Sequence, residues 1–110
     1  MAYDEELATR IRALVADEPQ LTEKKMFGGL AFLIGGNMAI AASGQGGILV
    51  RVDPDAEDDH PAAADGRPAE IRGRAMHGWL RVDAADIEEA GRLRYWAGRG
   101  VAYARSLPSK

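Results

Sequence analysis

At 110 residues the chain is long enough for one domain with a single core and too short for two. It contains no cysteine, which excludes disulfides, thiolate metal sites and cysteine nucleophiles, and its net charge of −3 argues against a generic nucleic-acid binder. The charge is uneven: residues 1–65 carry 5 basic and 12 acidic side chains and residues 66–110 carry 9 and 5, so a local basic surface is available only in the C-terminal part.

The opening MAYDEELATR has neither a basic n-region nor an apolar h-region, and no run reaches membrane-spanning length, so a cytoplasmic protein without membrane contact is expected. From Tyr3 to Asp17, Leu7, Ile11, Leu14 and Val15 recur at helical spacing, with Asp4, Glu5 and Glu6 where the helix dipole favours anions. That spacing predicts an amphipathic helix, ended at Glu18-Pro19 because a residue before proline is driven out of the helical region. Thr22–Phe27, Leu30–Ile34, Met38–Ala42 and Ile48–Val52 are short apolar runs separated by Gly28-Gly29, Gly35-Gly36 and a Ser43–Gly47 cluster, and they predict strands and turns.

Asp53 to Arg67 lacks periodicity and predicts an exposed loop, after which Pro68–Arg72 and Met76–Val82 form a last pair of strands. Asp83 is the expected N-cap of a long C-terminal helix whose inner face carries Ile87, Ala90, Leu93, Trp96, Ala97, Val101 and Ala104. Gly91, Gly98 and Gly100 each weaken that helix by about 1 kcal/mol relative to Ala, so a kink or break is expected near Gly98, with Leu107-Pro108 as the end. The whole predicts one α+β domain over residues 1–110. It has two layers, with N-terminal and C-terminal helices and an antiparallel sheet of four to six strands, because the runs are too close for the helical crossovers of a parallel sheet.

The glycines of Lys24–Ala42 raise the question of a phosphate loop. Neither G-x-G-x-x-G nor the Lys and Ser/Thr of a P-loop is present, and Gly35-Gly36 leads into an apolar run, so a two-residue hairpin loop with positive φ at both glycines is expected. In that register Ile34 faces Asn37, Leu33 faces Met38, Phe32 faces Ala39 and Ala31 faces Ile40, which makes both sheet faces apolar. A second apolar face needs a cover, most simply a dimer partner, otherwise a loop folding back. In MHGWLRV, alternation sends Met76, Gly78, Leu80 and Val82 one way and His77, Trp79 and Arg81 the other, with Trp79 as an interface anchor.

DPDAEDDH departs from a calcium loop at Asp58 and Ala64, a metal site at His60 lacks enforced geometry, and Ser43, Ser106 and Ser109 lack a nucleophile elbow, so neither a metal nor a catalytic triad is expected. Arg92, Tyr95, Arg99 and Tyr103 share one face of the last helix and form a candidate nucleic-acid stripe, with an ordinary solvated face as the alternative.

Taken together, KKMFGGLAFLIGGNMAIA, ILVRVDP, GRAMHGWLRVD and RYWAGRGVAYARSLPSK resemble the N-terminal domain of the TfoX/Sxy family over almost the whole chain. The resemblance implies a fold similar to secretion chaperones, with helices on one side of an antiparallel sheet. It also implies a link to natural competence, where the full-length regulators act as transcriptional co-activators beside the cyclic-AMP receptor protein and carry a further C-terminal domain. This chain is expected to be a stand-alone N-terminal domain. Met26, Phe27, Gly28, Gly29, Arg51, Arg74, Met76, Gly78 and Trp79 match the family pattern without a catalytic role and are the interaction candidates.

The leading expectation is a non-enzymatic regulatory or protein-interaction module, homodimeric, using no cofactor and acting through the sheet face that bears Trp79. One alternative is a binder of small anionic ligands, or an enzyme, using Arg51, Arg74 and His77. The other is direct nucleic-acid binding through the last helix.

Overall fold

The computed structural model describes residues 3–26, 28–54, 61–71 and 73–109, with the backbone alone at 61, 62, 71 and 75–77. Helix α1 spans Glu5–Val15. Its N-cap is Asp4, whose carboxylate accepts the backbone N–H groups of Glu6 and Leu7 at 2.9 and 3.2 Å and satisfies donors a helix start leaves unpaired. Strands β1 (Leu21–Met26), β2 (Gly29–Ile34), β3 (Asn37–Ala42), β4 (Ile48–Arg51), β5 (Arg67–Ile71) and β6 (Arg74–Val82) follow, and helix α2 (Ala90–Ser106) closes the fold. All pairings are antiparallel and the strand order is β1-β2-β3-β4-β6-β5. The α+β architecture expected from the alternating short runs is the one observed.

The core lies between the sheet and the two helices. Leu7, Ile11 and Val15 of α1 and Leu93, Trp96, Ala97 and Ala104 of α2 meet Phe32, Ile40, Ile48, Val50 and Val82 of the sheet. Asn37 is the one buried polar side chain among the described residues, and its Nδ2 donates to the Pro108 carbonyl at 2.9 Å, which latches the chain end onto the β2–β3 hairpin. Arg105 reinforces that latch through its 2.7 Å contact with Glu18. Trp96 Nε1 is buried and finds no acceptor among the described residues, a desolvated donor that the surrounding apolar contacts must offset.

Several local expectations are corrected. The hairpin turn at Gly35 and Gly36 has φ of 60° and 84° as expected, yet the register holds only for Ile34↔Asn37 and Leu33↔Met38. Beyond them Phe32 pairs with Ile40 and Ala31 with Ala41, so Ala39 is an extra residue bulged out of the ladder. Asp83 is the N-cap of a 3-10 turn at Ala84–Ile87 and not of the long helix, whose N-cap is Glu89; the Asp83 carboxylate makes no capping hydrogen bond and is paired with Arg67. Helix α2 starts later, at Ala90, which is exposed, and Val101 is half-buried. Within the predicted loop Asp53–Arg67, residues Pro61–Asp65 form a 3-10 helix and Arg67 already belongs to β5. Residues 55–60, including His60, lie outside the described residues.

No break occurs at Gly98, since α2 runs uninterrupted. The sequence signal was displaced by two residues: a Cβ on Gly100 would stand 2.3 Å from the Ala39 carbonyl oxygen, whereas one on Gly98 would meet nothing within 4 Å. Glycine at 100 therefore lets α2 lie directly on the bulge of β3. Gly100→Ala is expected to destabilise the protein by about 1–3 kcal/mol through overpacking against backbone. Gly98→Ala, in the same helix but facing open space, should stabilise it by up to about 1 kcal/mol. Urea unfolding of the two variants checks both signs.

Helix α1 is tied to β1 by Arg12 and Glu23, joined through Nε–Oε2 at 2.7 Å and Nη2–Oε1 at 2.8 Å. The hydrogen bond from Arg12 holds the Glu23 carboxyl below its ordinary range. A depressed carboxylate stabilises the fold above its unfolded pKa of about 4.3, and the contribution is lost as pH falls through the lower folded value. Glu23→Gln should thus unfold earlier than the wild type at neutral pH, with the difference closing in acid; thermal unfolding on both sides of that pKa measures it.

Candidate functional site

Residues directly opposite on paired strands share a sheet face. On the helix-covered face one row runs Glu23–Phe32–Ile40–Val50–Leu80–Pro68. The next row projects to the other side and runs Lys24–Ala31–Ala41–Leu49–Arg81–Arg67 across all six strands. Its middle is apolar and its two ends are cationic.

Around that middle the sheet carries a second apolar cluster of Ala31, Met38 and Ala41, flanked by half-buried Met26, Leu33, Leu49 and Trp79. The bulge is what assembles it. Met38 and Ala41 are three residues apart, so strict alternation would place them on opposite faces, and the extra residue Ala39 returns them to one. Among the described residues neither helix contributes to this cluster. Between these side chains lies a shallow open depression of about 30 Å³ lined chiefly by Met26, Gly29, Ala31, Met38, Ala41 and Leu49. Gly29 lines it, and a Cβ there would lie 2.2 Å from the Ala42 carbonyl oxygen, so the position admits no side chain without a backbone shift.

The cations on this face meet neutral groups. Arg51, opposite Trp79 in the ladder, places its guanidinium carbon 5.3 Å from the Trp79 ring centroid and 5.6 Å from that of Tyr103 on α2. Arg81 donates to Ser43 Oγ, Gln45 Oε1 and the carbonyls of Gln45 and Gly46 at 3.0–3.3 Å, clamping the β3–β4 turn. Among the described residues no carboxylate forms an ion pair with Lys24, Arg51 or Arg81. Arg67 differs, being paired with Asp83.

The sequence matches the family model of the TfoX N-terminal domain over residues 13–104, a span that includes the last turn of α1, every strand and most of α2. The chain belongs to this family. Neither a curated protein nor a solved structure matches it.

In this TfoX N-terminal domain the family-pattern residues do not gather at one point. Met26, Arg51 and Trp79 lie on the second face, and Gly28 turns β1 into β2 at φ 75°. Gly78 sits at φ 86° in a bulge of β6, where Pro68 pairs with Leu80 but Ala69 pairs with Met76, and its carbonyl accepts the Val52 N–H at 2.8 Å. After the bulge the alternation expected through MHGWLRV holds, with Leu80 and Val82 toward the core and Trp79 and Arg81 away from it. Arg74 opens β6 opposite Ile71 and shares no contact with Arg51 among the described residues. Phe27 and the side chains of Met76 and His77 lie outside the described residues.

The stripe on α2 is largely engaged within the molecule. Arg92 pairs with Asp65, whose hydrogen bond raises the guanidinium pKa further, and with Glu89 at 3.6 Å. Arg99 lies 5.4 Å from the Trp96 ring centroid and donates to Tyr95 Oη at 3.3 Å, and Tyr103 meets Arg51. Among the described residues no group of three or more His, Asp and Glu side chains gathers with metal-binding spacing, and no helix is long and apolar enough to cross a membrane.

Chemically, an apolar floor with fixed, unneutralised cations at its margin suits recognition of a surface. Alternation in the sequence already put Arg81 on the side of Trp79, but Lys24 and Leu49 carry no local signal, because only strand pairing brings positions so far apart into one row. Replacing Arg51 by Ala should cost about 1 kcal/mol through loss of its contacts with the two rings. It should also raise acrylamide quenching of tryptophan fluorescence, since Trp96 is fully buried and Trp79 is not; Arg51→Lys should fall between the two.

Proposed function

We propose that this TfoX N-terminal domain is a non-enzymatic interaction module working in transcription regulation within the cytoplasm. Its working surface is the second face of the sheet around Trp79. The observation that carries the reading is the apolar cluster of Ala31, Met38 and Ala41 with its half-buried margin, to which neither helix contributes among the described residues. Apolar side chains gathered on such a face favour association, and an aromatic residue beside them is the common anchor of an interface.

The regulatory role draws support from family membership alone, which the match over residues 13–104 supplies. Competence regulation is the version of that role associated with the family's two-domain proteins. The surface is supported independently by the packing, so role and surface are separable claims. A protein occupant is the common element, whether a regulatory partner or a second copy forming a homodimer.

Deleting the gene in the organism of origin should change the transcript levels of a restricted gene set. Complementation with Leu49→Asp, checked for an unchanged thermal midpoint, should fail to restore them, whereas Arg105→Ala should succeed. Unchanged transcripts after deletion would remove the regulatory role, and full rescue by Leu49→Asp would remove the surface.

A further inference from the structure

We infer that the second sheet face receives an acidic segment of another protein, in which one apolar side chain is flanked on both sides by carboxylates. The inference rests on the reading of that face as an interaction surface and specifies what it holds.

The first ground is the order of the cross-strand row. From β1 to β5 it reads Lys24, Ala31, Ala41, Leu49, Arg81, Arg67, an apolar centre between Lys24 on one side and Arg81 on the other, with the outermost Arg67 already paired with Asp83. Small side chains at Ala31 and Ala41, walled by Met26, Met38 and Leu49, leave a shallow open depression of about 30 Å³, on which the tip of one apolar side chain can rest. Bound there, an anchor would extend the existing cluster and exclude water from it.

Charge supplies the second ground. Elsewhere Arg12, Arg92 and Arg105 are matched with Glu23, Asp65 and Glu18, whereas Arg10 and Arg99 donate to the Ile87 carbonyl and the Tyr95 hydroxyl. On this face Lys24, Arg51 and Arg81 have no carboxylate partner among the described residues, although the protein is acidic overall. Arg51 and Arg81 are also preorganised, one by two aromatic rings and the other by the β3–β4 turn, so a carboxylate meeting them orders little side-chain freedom. Complementarity therefore calls for anions around an apolar anchor.

That pattern separates the occupants. A two-fold copy of this chain docking by the same face would bring the cationic margins of both protomers together, which like-charge repulsion opposes. A nucleic-acid backbone would answer the cations but has no aliphatic group for the centre. An acidic peptide segment answers both. Lys24 on β1 and Arg81 on β6 are four strand spacings apart, about 19 Å, a distance that about six residues of extended chain would span. The segment should carry an aliphatic or aromatic residue with Asp or Glu about three positions away on either side.

Random peptides about nine residues long, displayed on phage and selected on the immobilised full chain in about 50 mM salt, test this without assuming a partner. The expected enrichment is the acidic–apolar–acidic pattern. The best such peptide, made synthetically, should bind about fivefold or more weakly to Lys24→Glu and to Arg51→Ala, with less than about a twofold change for Arg105→Ala and a loss of affinity near 0.5 M salt. Lys24 is exposed, so its variant reports charge even if Arg51→Ala unfolds.

Enrichment of apolar peptides lacking acidic residues, blocked by Leu49→Asp yet indifferent to Lys24→Glu, would overturn the inference and leave the interaction surface standing. No enrichment over the Leu49→Asp protein would overturn both. A concentration-dependent dimer in sedimentation that Leu49→Asp dissolves would assign the face to a second copy, and single-stranded DNA binding that depends on Lys24 and Arg51 would assign it to nucleic acid; each overturns the acidic segment.

Discussion

The contact between Gly100 and the carbonyl of Ala39 is the point on which both sides of the sheet depend. Ala39 is the residue that the β2–β3 ladder skips, and Gly100 is the helix position where a side chain would collide with it. A bulge displaces the backbone locally and a glycine lets the helix accept the displacement, so the irregularity of one element is matched by the missing side chain of the other. On the helix side this sets how closely α2 approaches, and Trp96, Ala97 and Ala104 are buried as a result. On the far side the same extra residue turns Met38 and Ala41 toward a common face and creates the second cluster.

Around that contact, polar interactions hold the layers in register more than they add stability. The Arg12–Glu23 pair on the surface is solvent-screened, and exposed pairs contribute little. Its position is informative all the same, because it joins α1 to the row beside the cationic one and leaves Lys24 on the other face. The Asn37–Pro108 hydrogen bond and the Arg105–Glu18 pair fasten the end of α2 to the start of the sheet, giving the R-S-L-P run a structural role. An open groove of about 430 Å³ beside this latch is lined by Glu18, Gln20, Arg105 and Ser109, whose polar groups largely bond one another.

The two faces divide the work. One is sealed by helices and supplies the free energy of folding, while the other keeps a small apolar centre with cations stacked or clamped but electrically unmatched. Arg51 links them, since its guanidinium reaches both Trp79 on the sheet and Tyr103 on α2. Events at the second face therefore have a direct physical connection to the C-terminal helix.

Much of the scaffold was legible in local sequence. Apolar spacing located α1 and α2, Gly35-Gly36 specified a hairpin through its positive φ values, and short runs between turn residues placed the strands. These follow from interactions within a few residues, which local pattern records. Even the suspicion of a second apolar face came from counting Leu30–Ile40 side chains. The start of α2, the burial of Gly100, the bulge at Ala39 and the cationic row were settled only by tertiary structure. Each depends on a partner distant in sequence: Asp83 is claimed by Arg67, Gly100 is read by Ala39, and Lys24 joins Arg81 only through four intervening strand pairings. A one-residue change in register reverses which face a side chain takes, and nothing local in the sequence carries that information.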